Sequence, residues 1–203
     1  MAKTRSEQKR KAILHAALSA FREDGAQQTS MDKIAELANV SKRTIYNHFP
    51  SKEALIASLL AELWQNIAHL VVPEQLASLD WNEQLEQLLY SEIELLSSPE
   101  YIDLARVVMG HYLFRPQDLA EISQQKLAQQ TQLSIWLEEQ VNQQTLMITN
   151  VEEATAQLHS LVKGQCFWPQ ILGFKPMLTA CQKNTLAQKT AAFFLNNYRR
   201  HLP

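Results

Sequence analysis

The sequence predicts an all-α chain of about nine helices: a three-helix N-terminal domain containing a helix-turn-helix, followed by a larger C-terminal helical domain. Three observations predict it. Glycine occurs four times in 203 residues, too rarely for a turn-rich sheet protein, and the seven prolines fall mostly at segment ends. Apolar residues recur at three- and four-residue steps along most of the chain, the period of helices with one buried face. Residues 30–49, SMDKIAELANVSKRTIYNHF, compress two short amphipathic helices around a tight turn.

The elements follow in order. Residues 5–24 form the first helix, with Ile13, Leu14, Ala17, Leu18 and Phe21 inward and Gly25 at its C-terminal end. Lys9, Arg10 and Lys11 precede that apolar face, as a solvated basic end or as contacts to a polyanion. The second helix carries Met31, Ile34, Ala35 and Ala38 on one face, with Asp32, Lys33 and Glu36 facing water. Thr29 or Ser30 caps its start. It stops at Asn39-Val40, since asparagine tolerates the left-handed conformation that ends a helix. Ser41 caps the third helix, whose buried side is Ile45 and Phe49.

Lys42, Arg43, Tyr46 and Asn47 then share the opposite, exposed side, with Thr44 and His48 flanking them. Such a row suits a nucleic-acid groove better than it suits solvation alone. Arginine pairs bidentately with guanine and asparagine with adenine, while lysine, tyrosine, threonine and histidine hold phosphate oxygens.

Beyond this turn, Pro50-Ser51-Lys52-Glu53 restarts helix. Leu55, Ile56, Leu59, Leu60, Leu63, Ile67 and Leu70 carry it to Val71-Val72-Pro73. Lys52, near its N-terminus, is placed to meet a phosphate. Five further helices follow. The first, from Trp81 to about Ser97, is patterned by Leu85, Leu88, Leu89, Ile93 and Leu96. Ser98-Pro99-Glu100 opens the next, carried by Ile102, Ala105, Met109 and Leu113. Another runs from Leu119 through Ile122, Leu127, Leu133 and Leu137 to Val141. Asn150 with Glu153 opens a helix through Ala154, Leu158, Leu161 and Val162 towards Gly173, with a kink expected at Trp168-Pro169. The last spans about Pro176 to Arg200 and is apolar on more than one face, counting Phe193 and Leu195 beside Phe194, so a second chain would cover part of it.

Charge is divided unevenly. The first 52 residues hold ten Lys/Arg against five Asp/Glu, a net +5, and the remainder nine against sixteen, a net −7, within a formal total of −2. A basic head on an acidic body fits a chain that touches phosphate at one end only. Cys166 and Cys181 are expected as inert thiols. With no nucleophile motif, phosphate loop or paired-carboxylate site, an enzyme is not expected. No cofactor and no metal site is expected either, because His111 and His159 lack ligand spacing. The N-terminus has no apolar signal run and no stretch would span a bilayer, so no membrane partner and a cytoplasmic location are expected.

The segment from about Lys9 to Leu60 resembles the DNA-binding domain of the TetR family of bacterial transcriptional regulators. AFREDG ends the first helix, and Ile34-Ala35, Val40-Ser41, Tyr46, His48-Phe49 and Lys52 stand at the family's spacings. Asn39 departs from the glycine usual there, although it reaches the same backbone region. The resemblance implies a helix-turn-helix domain at residues 1–52 and an effector-binding and dimerisation domain at 53–203. It implies DNA contact by Thr29, Ser30, Lys42, Arg43, Thr44, Tyr46, Asn47, His48 and Lys52. A homodimer would read a palindromic operator and be released by a small-molecule effector. Leu158, Leu161, Val162, Phe167, Ala187, Ala191, Phe194 and Tyr198 are the expected dimer contacts. Met109, His111, Tyr112, Phe114, Trp136, His159 and Trp168 are the candidate effector residues. The alternative is a DNA-binding regulator without a small ligand, whose C-terminal domain only dimerises or binds a protein.

Overall fold

A computed structural model of the chain describes residues 5–68, 76–124 and 130–199. The expectations at Leu70 to Pro73, at Leu127 and at Arg200 lie outside the described residues, as do those for the Ile67 and Ile122 side chains. The fold is all-helical. The described residues form α1 (Arg5–Gln28), α2 (Met31–Leu37), α3 (Lys42–His48), α4 (Lys52–Ala68), α5 (Trp81–Leu96) and α6 (Pro99–Tyr112). They continue as α7 (Pro116–Gln124), α8 (Gln132–Asn142), α9 (Val151–Cys166), α10 (Trp168–Ile171) and α11 (Ala180–Tyr198).

Among the described residues there are eleven helices, against an expected nine or so, because two expected ones are divided. The helix expected over Leu119 to Val141 is α7 and α8, the latter opened afresh by Thr131 and Ser134 in a reciprocal capping box. The helix expected from Asn150 towards Gly173 breaks at Phe167 (φ −124°, ψ −63°) rather than kinking. Pro169 has no N–H to offer the Gln165 carbonyl one turn back, and the Gln170 side-chain Nε2 lies 3.5 Å from that oxygen instead. In α1, Gly25 (φ 80°, ψ 153°) interrupts the regular helix where its end was expected, and one further turn follows to Gln28.

The chain divides into two compact units, and the division is not one of chain order. The first draws its described residues from Met1–Trp64 and Asp103–Leu127, the second from Gln65–Ile102 and Ala128–Pro203. The first unit therefore includes most of α6, which a boundary at Lys52 assigns elsewhere. Its core joins Ile13, Ala17 and Phe21 of α1 to Ile34 of α2, Ile45 of α3, Phe49, and Leu55, Ile56 and Leu59 of α4. Full burial of the leucine, isoleucine and phenylalanine side chains contributes about 1.5–3 kcal/mol each.

In the second unit α5 packs chiefly on α11 and also on α9 and α8. Asp80 fixes the start of α5: its Oδ1 accepts from Asn82 N and Glu83 N at 2.9 Å, and Glu83 Oε2 accepts from Asp80 N at 3.0 Å. Leu85, Leu89, Ile93, Leu96, Leu137, Leu158, Val162 and Phe194 are buried together with one charged group, Glu92. Its Oε1 lies 2.6 Å from His159 Nδ1, a pairing that compensates a carboxylate only 6% exposed. Burial, helped by the nearby Glu92 charge, pushes the Cys166 thiol up to about 12, which keeps it inert, while Cys181 is exposed. No helix among the described residues is long and apolar enough to cross a membrane.

Candidate nucleic-acid interface

The interface is built by two helices of seven residues and the turn between them. Ser30 is the N-cap of α2, its Oγ accepting from Lys33 N at 3.1 Å, a cap that typically contributes about 1 kcal/mol. The helix closes in a Schellman motif, with Asn39 N donating to Glu36 O at 3.0 Å and Val40 N to Ala35 O at 3.0 Å. Asn39 has φ 51°, the left-handed value the motif needs, so asparagine supplies what glycine would. Ser41 then caps α3, its Oγ accepting from Thr44 N at 3.1 Å.

Burial divides α3 cleanly. Ile45 is fully buried and Phe49, its C-cap, is 1% exposed, while Lys42, Arg43, Tyr46 and Asn47 are exposed. Four side chains able to donate to phosphates and base edges thus stand on one face, held by an apolar anchor on the other. Thr44 and His48 are half-buried at the margin, and the Thr44 hydroxyl is 2.8 Å from Ser41 Oγ. Lys42 Nζ lies 2.9 Å from Asp32 Oδ2, which ties α3 back to α2 and, by that hydrogen bond first, raises the lysine pKa. Arg10 stacks its guanidinium 4.6 Å from the centre of the Phe49 ring, on the N-terminal side of the same unit.

Two expected contacts are changed by the structure. Thr29 is 2% exposed, and its hydroxyl lies 2.9 Å from Gly25 O and 3.2 Å from Ala20 O, so it closes the α1–α2 turn instead of facing outward. Lys52 Nζ donates to Gln27 O at 3.0 Å and Thr29 O at 3.1 Å. Its cation gathers carbonyls from that same turn, a structural bond the sequence pattern did not reveal. Lys42's partner Asp32 was also missed; opposite charges ten residues apart across the turn were the available signal.

The C-terminal sets are also redistributed. Leu158, Val162, Phe167, Ala187 and Ala191 are buried within the unit's own core, because the i, i+4 faces that carry them are the ones that pack inward. Outward instead lies an open groove of about 860 Å³ between α9 and α11, lined by Gln157, Ser160, Leu161, Phe193, Phe194, Asn197 and Tyr198 among others. Phe193 is 59% exposed there, and Tyr198 Oη donates to Gln157 Oε1 at 2.6 Å across the two helices.

The seven candidate effector residues are divided between the two units. Met109, His111, Tyr112 and Phe114 belong to the first unit, and Trp136, His159 and Trp168 to the second. Phe114 is 84% exposed, whereas Tyr112 is buried. The half-buried His111 has its pKa lowered by desolvation first and by Arg115 second. Trp136 lines a second cavity of about 320 Å³, between α5 and α8.

Comparison with known proteins agrees with this geometry. Residues 13–59 match the family described as "Bacterial regulatory proteins, tetR family", and residues 83–200 match "AefR-like transcriptional repressor, C-terminal domain". The HTH-type transcriptional regulator RutR of Escherichia coli (strain K12) is 49% identical over 55 residues, 27% of this chain and 26% of RutR, so the chain matches only about a quarter of that relative. A TetR family transcriptional regulator from Pseudomonas syringae pv. tomato str. DC3000 shares the fold at TM-score 0.79 and 34% identity, over 96% of this chain and 99% of that one. The Flavonoid-responsive Regulator FrrA does so at TM-score 0.73 and 28% identity, over 97% and 100%. With an exposed donor row on a helix-turn-helix and matches along most of its length, the chain belongs to the TetR family of bacterial transcriptional regulators, whose helix-turn-helix binds DNA.

Proposed function

We propose that the chain is a repressor that holds a palindromic operator as a homodimer and leaves it when a small molecule occupies the C-terminal domain. The observation that carries the DNA half is the α3 face, where Lys42, Arg43, Tyr46 and Asn47 are exposed while buried Ile45 anchors the helix. In this reading Arg43 and Asn47 read base edges, and Lys42, Tyr46 and His48 hold the backbone. The C-terminal match to a repressor domain supports repression, and the name of the flavonoid-responsive relative supports a small effector. Effector binding would favour a conformation with its two recognition helices wrongly spaced, α4 carrying the change along the chain. Such a regulator acts in the bacterial cytoplasm.

A second copy of the chain is the natural occupant of the α9–α11 groove. Phe193 and Leu161 offer apolar surface there, and two such faces related by a two-fold axis make a four-helix interface. Phe193→Glu with Leu161→Glu places like charges at that seam. The expected result is a monomer of 23.2 kDa by sedimentation velocity, with unchanged helix content and loss of palindrome binding. A variant that still sediments at twice that mass overturns the assignment.

A further inference from the structure

The cavity between α5 and α8 is lined by a polar group for which the described residues supply no partner. Gln140 lies on α8 and is 5% exposed, and its side-chain amide makes no hydrogen bond among the described residues. Gln140 is among the residues that line the cavity. A neighbouring glutamine marks the contrast. Gln84 Oε1 accepts from Trp136 Nε1 at 2.7 Å, and its Nε2 donates to Leu76 O at 3.2 Å and Leu79 O at 2.9 Å. Gln84 is saturated and sets the indole; Gln140 is open.

The rest of the lining limits what could pair with it. Trp81 and Trp136 contribute indoles to the wall, with Leu88 and Ile135 beside them. Arg199 covers one face of Trp81 at 4.8 Å, which steadies that ring. Among the described residues the one charged lining residue is Glu139, exposed at the cavity, and no lysine or arginine lines it, the Arg199 guanidinium lying against the Trp81 ring, so the lining disfavours an anion. At about 320 Å³ the space is at the small end of ligand sites. A primary amide shows one donor and one acceptor side by side, and a cis-amide in a flat ring presents the complement.

We propose that this cavity binds a small, neutral, planar lactam, stacked against the indole wall and paired by two hydrogen bonds with the Gln140 amide. The proposal rests on the reading that the C-terminal domain takes a small ligand, and it assigns that ligand's place and class.

Quinolin-2(1H)-one is the probe, titrated into the full chain by calorimetry and by tryptophan fluorescence. Saturable binding at one per chain is expected. It should weaken about tenfold or more with N-methylquinolin-2-one, which lacks the donor, and with Gln140→Leu, since a site built to hydrogen-bond discriminates against a missing group. Because the Gln140 side chain has no bond to lose among the described residues, Gln140→Leu should leave Tm about unchanged, which separates lost binding from lost folding. Absence of saturable binding to the parent, or equal binding by Gln140→Leu, overturns the proposal. Operator affinity is measured in the same series. If the lactam binds through Gln140 yet leaves operator affinity unchanged, the site stands and effector-driven release falls. If another molecule releases the operator equally well from parent and Gln140→Leu while the lactam does not bind, release stands and this site falls.

Discussion

Phe49→Ala is expected to destabilise the N-terminal unit by about 3–5 kcal/mol and to abolish operator binding, although no proposed DNA contact is altered. Phe49 is 1% exposed, caps α3 with its N–H bonded to Ile45 O at 2.8 Å, and lies under the Arg10 guanidinium. Truncation opens a cavity beneath a helix of seven residues, too short to persist in water without tertiary packing. Exposed Tyr46 makes the control. Tyr46→Ala should change stability by less than about 0.5 kcal/mol, the usual range for surface positions, while weakening DNA binding. Urea titration of each variant, followed by helix content and DNA binding, checks the pair. Equal stability loss at both positions would mean that the burial pattern of α3 is misread.

His159→Leu is expected to be about as damaging to the second unit, by about 3–5 kcal/mol, because it strands the Glu92 carboxylate in a low-dielectric interior. The loss should be recovered in large part by adding Glu92→Gln. A neutral amide tolerates burial where an unpaired carboxylate does not, and the two positions share one 2.6 Å contact. The measurement is a double-mutant cycle by chemical denaturation. Additive losses would show that the pair is not coupled in the folded chain. Neighbouring Tyr101, whose pKa is raised by burial first and by the Glu92 charge second, belongs to the same buried surroundings.

What could be read from the chain alone follows the range of the interactions. Met31, Ile34, Ala35, Ile45 and Phe49 were legible as core because helical periodicity is a local property, and all five are buried. Asn39 was legible for the same reason, since the conformation of one residue decides the turn. The outward row on α3 is the complement of that apolar pattern. Contacts between distant positions were not legible. Nothing near Glu92 in sequence announces His159 67 residues on, nor near Gln84 the Trp136 indole 52 residues on. The same limit accounts for Lys52: its position at a helix start reads as a phosphate contact, and only the folded turn brings Gln27 O and Thr29 O to its amine. Helical phase alone left the α9 and α11 faces ambiguous. Leu158 and Val162 look as available to a partner as Leu161 until α5 packs against α9 and α11 and buries the unit's inner faces.

Base preference tests the central claim most directly. Duplexes selected by the parent chain from a randomised library define its operator, and fluorescence anisotropy then compares Arg43→Ala, Asn47→Ala and Lys42→Ala on that operator and on single-base variants of it. Arg43→Ala and Asn47→Ala should each lose about 1–3 kcal/mol on the operator and stop discriminating at a particular base pair, while Lys42→Ala should weaken every sequence alike and flatten the salt dependence. Folded Arg43→Ala and Asn47→Ala proteins that bind and discriminate as the parent does would contradict the assignment of α3 as the reading helix.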